Sequence, residues 1–541
     1  MPNYCARHLG GSEAACQPKA LYTASAVMYA VAVALILAGY VAVIAGSSFY
    51  SLLDLPNHIA RCTVMADLIF HHGAQFGGVF HYRFMAVPYV FGDLVVSSLV
   101  ELFDPAAAAA IWTNLAFLSL PAAFLLYLRV AGVSARGQLI GVLVATYLST
   151  DWSFFAGFIE FRLGVSFLLL ALALAELFRQ RRSMGVICLY AIVVIVGYLT
   201  HFTTLVFLAA AIPVSGILHL WRRRSNSMNE FLLLLPIAVL LAWHFGVATH
   251  YGEPGDSPGN PLSWGTLSGK LLRIPWEFRR FPNRFDTLTK IAFVAWMCAM
   301  LYRRVSIKAL SALASLNMFA LAVMFLGLYF ALPVRTSDTV FVDVRALVPA
   351  TLFLVSGFIS LPDPAGSHRG IGEMTALPLA VLIAVGNLVL IAAHYSELTA
   401  WIDRYRAIVA SIPRGSQVLP VTPFLGAPYT HAGSAVIIEA GGIIPYLFSG
   451  NYGHPMKYFR YVHPLYAPRE SWYAEHPAPA VDWQQIGCTY RFLLAIKPYD
   501  THRLDVPTST IAENSSAALL RVDPHACDPP HHDSSSLQGS L

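Results

Sequence analysis

Residues 23–58 read TASAVMYAVAVALILAGYVAVIAGSSFYSLLDLPNH. From Thr23 to Gly46 there is no charged side chain, and the stretch exceeds the roughly 20 residues that a helix needs to cross a hydrocarbon core. Just beyond it stands Asp54-Leu55-Pro56-Asn57-His58. An acid and an imidazole at the rim of a bilayer are costly unless they are wet, paired or used. The first part of this stretch decides the fold class, and the second part raises the question of chemistry.

The rest of the chain repeats the first pattern. Of 541 residues, 57% are hydrophobic and only 12% charged, against about 25% charged in soluble domains. The apolar residues fall in blocks, which excludes a β-barrel with its short alternating segments. The chain reads as a polytopic all-α membrane protein with about 11 transmembrane helices. The spans are 23–46, 107–130, 137–155, 160–178, 185–200, 201–221, 229–247, 288–303, 308–331, 346–361 and 374–395. The net charge of +5 is small and gives no reason to expect nucleic acid. The first 22 residues are polar and lack a small-residue cleavage site, so the first span reads as an uncleaved anchor.

Loop charges set the orientation. Arg7, Lys19, Arg129, Arg136, Arg179, Arg181, Arg182, Arg222, Arg223, Arg224, Arg303, Arg304, Lys308 and Arg369 lie on one side, in roughly 63 loop residues. The opposite loops hold fewer cations in roughly 120 residues. The dense side is therefore expected in the cytoplasm of a bacterial-type inner membrane, with the N-terminus inside and the chain beyond 395 outside. The apolar stretch Val87–Phe103 would invert this pattern if it crossed. It carries Asp93 and Glu101 and is short, so it is read as a juxtamembrane helix on the outer surface.

Two regions follow: a transmembrane domain, 1–395, with external loops at 47–106 and 248–288, and a C-terminal external domain, 396–541. In the first loop, Ile59, Cys62, Ala66, Ile69 and Phe70 follow helical spacing, with His58, Arg61 and His72 on the other side. This predicts an interfacial amphipathic helix begun by Pro56. The tail is rich in Pro, Tyr and His. Ser416–Val421, Ser434–Glu439, Arg491–Lys497 and Ala518–Val522 read as strands of a small α/β or mixed domain, with a disordered end after about Asp523. An oxidising compartment allows a Cys488–Cys527 disulfide. No C-x-x-C pair suggests a metal cage.

The residues able to carry chemistry fall on the outside: Asp54 and His58, His71, His72 and His81, Asp151, Glu160, Arg162, His201, the basic run 270–284, Arg335 and Arg345. The cytoplasmic connectors are short, Arg-rich and hold no G-x-x-x-x-G-K-[ST] phosphate loop. Any reaction must use a donor presented from the membrane.

A first span, a large external loop opening with an acid, surface helices, many spans and an external C-terminal domain resemble the GT-C superfamily of membrane glycosyltransferases. Protein O-mannosyltransferases and aminoarabinose transferases are branches of it. Asp54 matches the acid that opens the family's first external loop, and Pro88-Tyr89 resembles the Pro-rich entry to its second surface helix. The resemblance covers about 1–395. The sequence lacks the second acid beside Asp54 that some branches have, so no cofactor is certain, a divalent metal is possible, and both metal dependence and branch assignment stay open.

The resemblance implies transfer of a sugar from a polyprenyl-phosphate donor to an acceptor hydroxyl on a lipid, polysaccharide or protein, at the extracytoplasmic face among membrane lipids. Asp54 would be the general base. His58 would bind substrate, orient Asp54 or ligate a metal. Glu160, Arg162 and His201 would line the cavity, or Glu160 and Arg162 would pair across a turn. Arg279, Arg280, Arg284 and Arg345 would meet phosphate, which guanidinium groups match two-pronged. A one-step displacement would invert the sugar. The alternative is a transporter or flippase of a lipid-linked substrate. Against that stand the missing repeat symmetry and the absence of paired Gly/Pro-broken spans.

Overall fold

A computed structural model describes residues 19–222, 225–246, 262–277, 284–304, 313–336, 341–360, 371–422, 429–448, 459–461, 481–497 and 504–524. The helices in chain order are α1 (Lys19–Gly46), α2 (Leu55–Phe70), α3 (Val90–Leu102), α4 (Pro105–Val130), α5 (Ala135–Leu148), α6 (Trp152–Phe155), α7 (Ile159–Arg181), α8 (Met184–Thr200) and α9 (Phe202–Trp221). There follow α10 (Ser227–Gly246), α11 (Leu267–Glu277), α12 (Arg284–Arg304), α13 (Leu313–Ala331), α14 (Leu347–Ile359), α15 (Ile371–Val409), α16 (Ala435–Ala440) and α17 (Trp483–Thr489).

Within the described residues the apolar blocks fall on helices, but the expected span 137–155 is not one helix: α5 ends at Leu148 and α6, Trp152–Phe155, is a separate short helix. Among the described residues, six segments are long and apolar enough to cross a membrane: Val27–Gly46, Pro105–Val130, Ile159–Arg181, Phe202–Trp221, Ser227–Gly246 and Ala376–Val409. Four more are apolar but shorter, at Ala135–Leu148, Met184–Thr200, Ser315–Ala331 and Val344–Ile359. Helix starts follow local chemistry. Asp104 caps α4 by accepting from the N–H groups of Ala106 (2.9 Å) and Ala107 (3.0 Å), with Pro105 in the first turn, where its missing N–H costs nothing. Inside the bundle the Asn387 amide donates to the Tyr40 hydroxyl (2.6 Å) and to Thr150 Oγ1 (3.0 Å), tying α15 to α1 and to the end of α5.

At 39 residues α15 is about 58 Å long, nearly twice a hydrocarbon core. Its C-terminal part, from Ile402 to Val409, shares one core with α2 and with Val418, Phe492 and Leu494 of the C-terminal sheet. Among the described residues six strands are formed: β1 (Phe80–Tyr82), β2 (Val418–Val421), β3 (Phe459–Tyr461), β4 (Phe492–Ile496), β5 (Thr508–Glu513) and β6 (Ala517–Val522). The larger sheet has the order β2-β4-β6-β5, with β2 parallel to β4 and the other pairs antiparallel. Successive residues of β4 face opposite sides. Phe492, Leu494 and Ile496 join the core under α15 and α16, while Leu493 packs with Ile486 and Tyr490 around α17.

Two expectations about local structure are corrected. Ser434–Glu439 is not a strand but a 3-10 turn running into α16. Its Val and Ile favour strands, yet Ala435, Val436 and Ile437 are all buried against neighbouring helices, and Gly441 ends the helix in the left-handed conformation. Nor is α2 an interfacial helix with one wet face. It is buried nearly all round, His58 and Arg61 included. The tail covers the side that the sequence pattern assigns to water. Ala60, Val64 and Met65 of α2 share one hydrophobic core with Ile402, Tyr405 and Val436, and β1 pairs antiparallel with β3. The expected disordered end lies outside the described residues.

Candidate active site

The Asp54 segment rests on the α6–α7 turn. The backbone N–H groups of Leu53 and Asp54 donate to the carbonyls of Phe155 (3.0 Å) and Ala156 (3.2 Å). Gly157 sits there at φ +79°, and a Cβ on it would lie 2.7 Å from the backbone nitrogens of both Asp54 and Leu55. Only glycine satisfies both the left-handed backbone and that approach.

From the other side the tail closes over the motif. The Asn57 amide donates to the Tyr446 carbonyl (2.7 Å) and approaches His431 Nδ1 (3.3 Å), while its oxygen accepts from the Phe448 N–H (2.7 Å). An amide nitrogen only donates, so His431 Nδ1 accepts and the ring proton sits on Nε2. That Nε2 lies 3.4 Å from Asp54 Oδ1. Phe448 packs edge-on to both His58 and His431.

Behind Asp54 lies a buried charged layer. Arg61 Nη2 reaches Asp93 Oδ1 of α3 at 2.5 Å and His58 Nδ1 at 3.0 Å. His58 Nδ1 is 3.9 Å from Glu160 Oε1 at the start of α7. Exposure separates the acids: 20% of the Asp54 side chain is accessible, 4% of Glu160 and none of Asp93. A carboxylate that must meet a substrate hydroxyl needs that access. One ligand atom from each of His58, Asp93 and Glu160 lies within 4.8 Å of the others, a spacing near that of a metal-ligand set.

A basic corner adjoins this layer. Arg345 enters from the turn before α14 and its Nη1 donates to His201 Nε2 (2.8 Å), which also meets the Tyr89 hydroxyl (3.1 Å). The guanidinium lies over the rings of Phe158 (4.9 Å) and Phe161 (5.5 Å). His201 caps α9, and its Nδ1 lies 2.7 Å from Thr203 Oγ1. The capping bond is accepted by that same Nδ1, from the Thr203 backbone N–H (3.1 Å), so both ring nitrogens of His201 face donors. The Arg345 Nε is buried with no hydrogen-bond partner among the described residues. Such a donor is costly unless a ligand oxygen completes it.

Of the residues singled out by sequence, Asp54, His58, Glu160, His201 and Arg345 come together. Arg162 does not join them. On α7 it is two residues, or about 200°, from Glu160, and it forms an ion pair with Asp151 instead. The expected Glu160–Arg162 pair is therefore not formed. Asp151 also caps α6 through the N–H of Ser153 (2.8 Å), so Arg162 braces the turn that carries Gly157. Arg284 is exposed at the start of α12 and makes no described contact with the cluster. Arg279 and Arg280 lie outside the described residues. Lys270 and Arg273, from the same basic run, are consumed locally. Lys270 Nζ caps α13 through the carbonyls of Tyr329 (3.0 Å) and Phe330 (3.1 Å), and Arg273 Nη1 pairs with Asp343 (3.3 Å). Burial pushes the Asp343 carboxyl up, and Arg273 and Lys270 oppose that shift.

Sequence reading missed Asn57, Arg61, Tyr89, Asp93 and His431 as parts of one site. Asp93 carried a signal, as an acid inside an apolar helix. His431 carried none, because its place follows from how the tail docks.

The architecture as a whole is a helical bundle with short helices after the first span and a small C-terminal mixed sheet. Solved structures that share it include two of ArnT from Cupriavidus metallidurans. The form bound to undecaprenyl phosphate matches with a TM-score of 0.51 and 11% sequence identity over 92% of this chain and 99% of that chain. The apo form matches with a TM-score of 0.50 and 12% identity over 94% and 100%. At such identity the likeness is one of fold. No protein-family model and no curated protein sequence matches the chain.

Proposed function

We propose that this protein is a membrane glycosyltransferase that moves a sugar from a polyprenyl-phosphate donor to an acceptor hydroxyl at the extracytoplasmic face. The observation that carries this reading is the convergence of a partly exposed carboxylate, Asp54, with a guanidinium corner, Arg345 and His201, in a fold shared with a protein that holds undecaprenyl phosphate.

In the reaction Asp54 takes the acceptor's proton as its oxygen attacks the anomeric carbon, with the His431 Nε2–H fixing the carboxylate. General-base assistance of this kind contributes roughly 10²–10⁴-fold. The departing lipid phosphate gathers negative charge, and Arg345 presents its Nε and remaining N–H groups to it, held flat by Phe158 and Phe161. Positioned donors aimed at developing charge are the largest contribution in many sites. A single displacement inverts the sugar. The Arg-dense connectors face the cytoplasm, which leaves the site and the sheet outside.

The test is Asp54→Asn in purified protein supplied with a polyprenyl-phosphate sugar. Release of polyprenyl phosphate coupled to product should fall at least 10²-fold with expression and melting temperature unchanged. Unaltered turnover would remove Asp54 as the base. A flippase would move the lipid and give no glycosylated product from either form.

A further inference from the structure

We propose that Arg61 is the resident cation of this site, standing where a divalent metal would bind, so that transfer by this chain needs no metal ion. The catalytic half of this inference rests on the transferase reading; the structural half does not.

His58, Asp93 and Glu160 come from three helices, and one ligand atom of each lies within 4.8 Å of the others, close enough to converge on a metal ion after a small adjustment. A bound cation would sit about 2.0–2.2 Å from each of them. One nitrogen of Arg61 already lies 2.5 Å from Asp93 Oδ1 and 3.0 Å from His58 Nδ1. His58 Nδ1 has one lone pair and Arg61 already donates to it, so a metal bound there must displace the guanidinium, and the two cations compete. The placement follows from the sequence. Arg61 is three residues after His58 on α2, on the same face, and α3 brings Asp93 against both.

The guanidinium performs two of the tasks a metal would. Its permanent positive charge balances the buried Asp93 carboxylate, which would otherwise be costly. As a pure donor it makes His58 Nδ1 accept and leaves the proton on Nε2. A metal ion would impose the same tautomer by the same contact.

The test is metal content, read without substrate so that it stands even if the transferase reading fails. Wild-type protein, equilibrated with Co²⁺ or Zn²⁺ and desalted, should retain well under one ion per chain. Arg61→Gly opens the space and leaves the three ligands, and should retain about one ion per chain, with a rise in melting temperature on adding metal. Adding Glu160→Gln to it should weaken retention at least tenfold. Wild-type transfer, once a donor is in hand, should be unchanged by chelator. A wild-type chain that carries a stoichiometric ion, or a folded Arg61→Gly that takes up none, overturns the proposal. Should Arg61→Gly fail to fold, Arg61→Lys keeps the charge in place: it should fold and stay metal-free, and stoichiometric metal in it would refute the exclusion.

Discussion

Arg345 Nη1 donates to His201 Nε2 at 2.8 Å across 144 residues of sequence. The bond joins the turn between α8 and α9 to the entry of α14. It aims a guanidinium, backed by two aromatic rings, at the corner beside Glu160 and Tyr89.

That geometry predicts a strong penalty for a change that keeps the charge. Arg345→Lys removes the planar fork and the ring stacking. Transfer should fall about 10²-fold, the usual cost of losing one donor at a developing charge. Steady-state kinetics on a polyprenyl-phosphate sugar would check it, and a change below threefold would place the phosphate elsewhere.

His431 acts through Asp54, so the two should not be additive. His431→Ala is expected to lower transfer about tenfold, and adding it to Asp54→Asn should lower transfer no further than Asp54→Asn alone. A double variant that loses the product of both single effects would show that His431 acts independently.

Gly157→Ala should damage both stability and turnover. The left-handed backbone alone costs an alanine about 1–2 kcal/mol, and the 2.7 Å approach to the Asp54 and Leu55 nitrogens adds to it. The expected result is a lower melting temperature and weaker transfer per folded molecule. Circular dichroism melts with the transfer assay would read both.

Cys62 is a free, fully buried thiol on α2, and burial with the nearby Asp93 carboxylate pushes it well above the usual range. The thiolate is the reactive form, so Cys62 should resist maleimide at pH 7–8 in folded protein and react after unfolding. Because its pKa is raised, moderate alkalinity should not unmask it while the fold holds. Mass spectrometry of labelled peptides gives the answer; rapid labelling of the native chain at neutral pH would contradict the burial.

At the opposite end of α7, Arg179 makes a two-pronged pair with Glu230 (2.9 and 2.8 Å) and donates to Ser215 (3.0 Å). Glu230→Ala leaves a buried guanidinium short of its charge partner, a loss of about 3–5 kcal/mol in buried pairs. Melting in detergent should shift down markedly, while transfer by the protein that remains folded should hold. Equal loss of both would mean that this end is coupled to the site.

Much of this was legible in the chain. Apolar blocks longer than a bilayer core located the helices, because span length is a local property. Asp54, His58, Glu160, His201 and Arg345 were legible as unusual polar residues at the ends of apolar blocks, where hydrophobic patterning makes any charge stand out. The partner of Arg162 was not. Glu160 lies two residues away, but the helix turns them to opposite sides, and Asp151 is the acid that the α6 cap delivers. In the basic run 270–284, charge alone does not tell that Asp343 and the α13 carbonyls hold Arg273 and Lys270.

The sequence by itself determined a polytopic helical membrane chain, the position of its first acid after the first span, and which polar residues stand at the ends of its apolar blocks. Only the tertiary structure decided that the tail folds over α2, that Asn57 meets His431 and His431 meets Asp54, and that Arg61 lies among His58, Asp93 and Glu160. The reason is range. Helix formation and membrane insertion depend on neighbours in the chain, whereas a buried ion pair or an oriented imidazole exists only when segments hundreds of residues apart are packed to within hydrogen-bond distance.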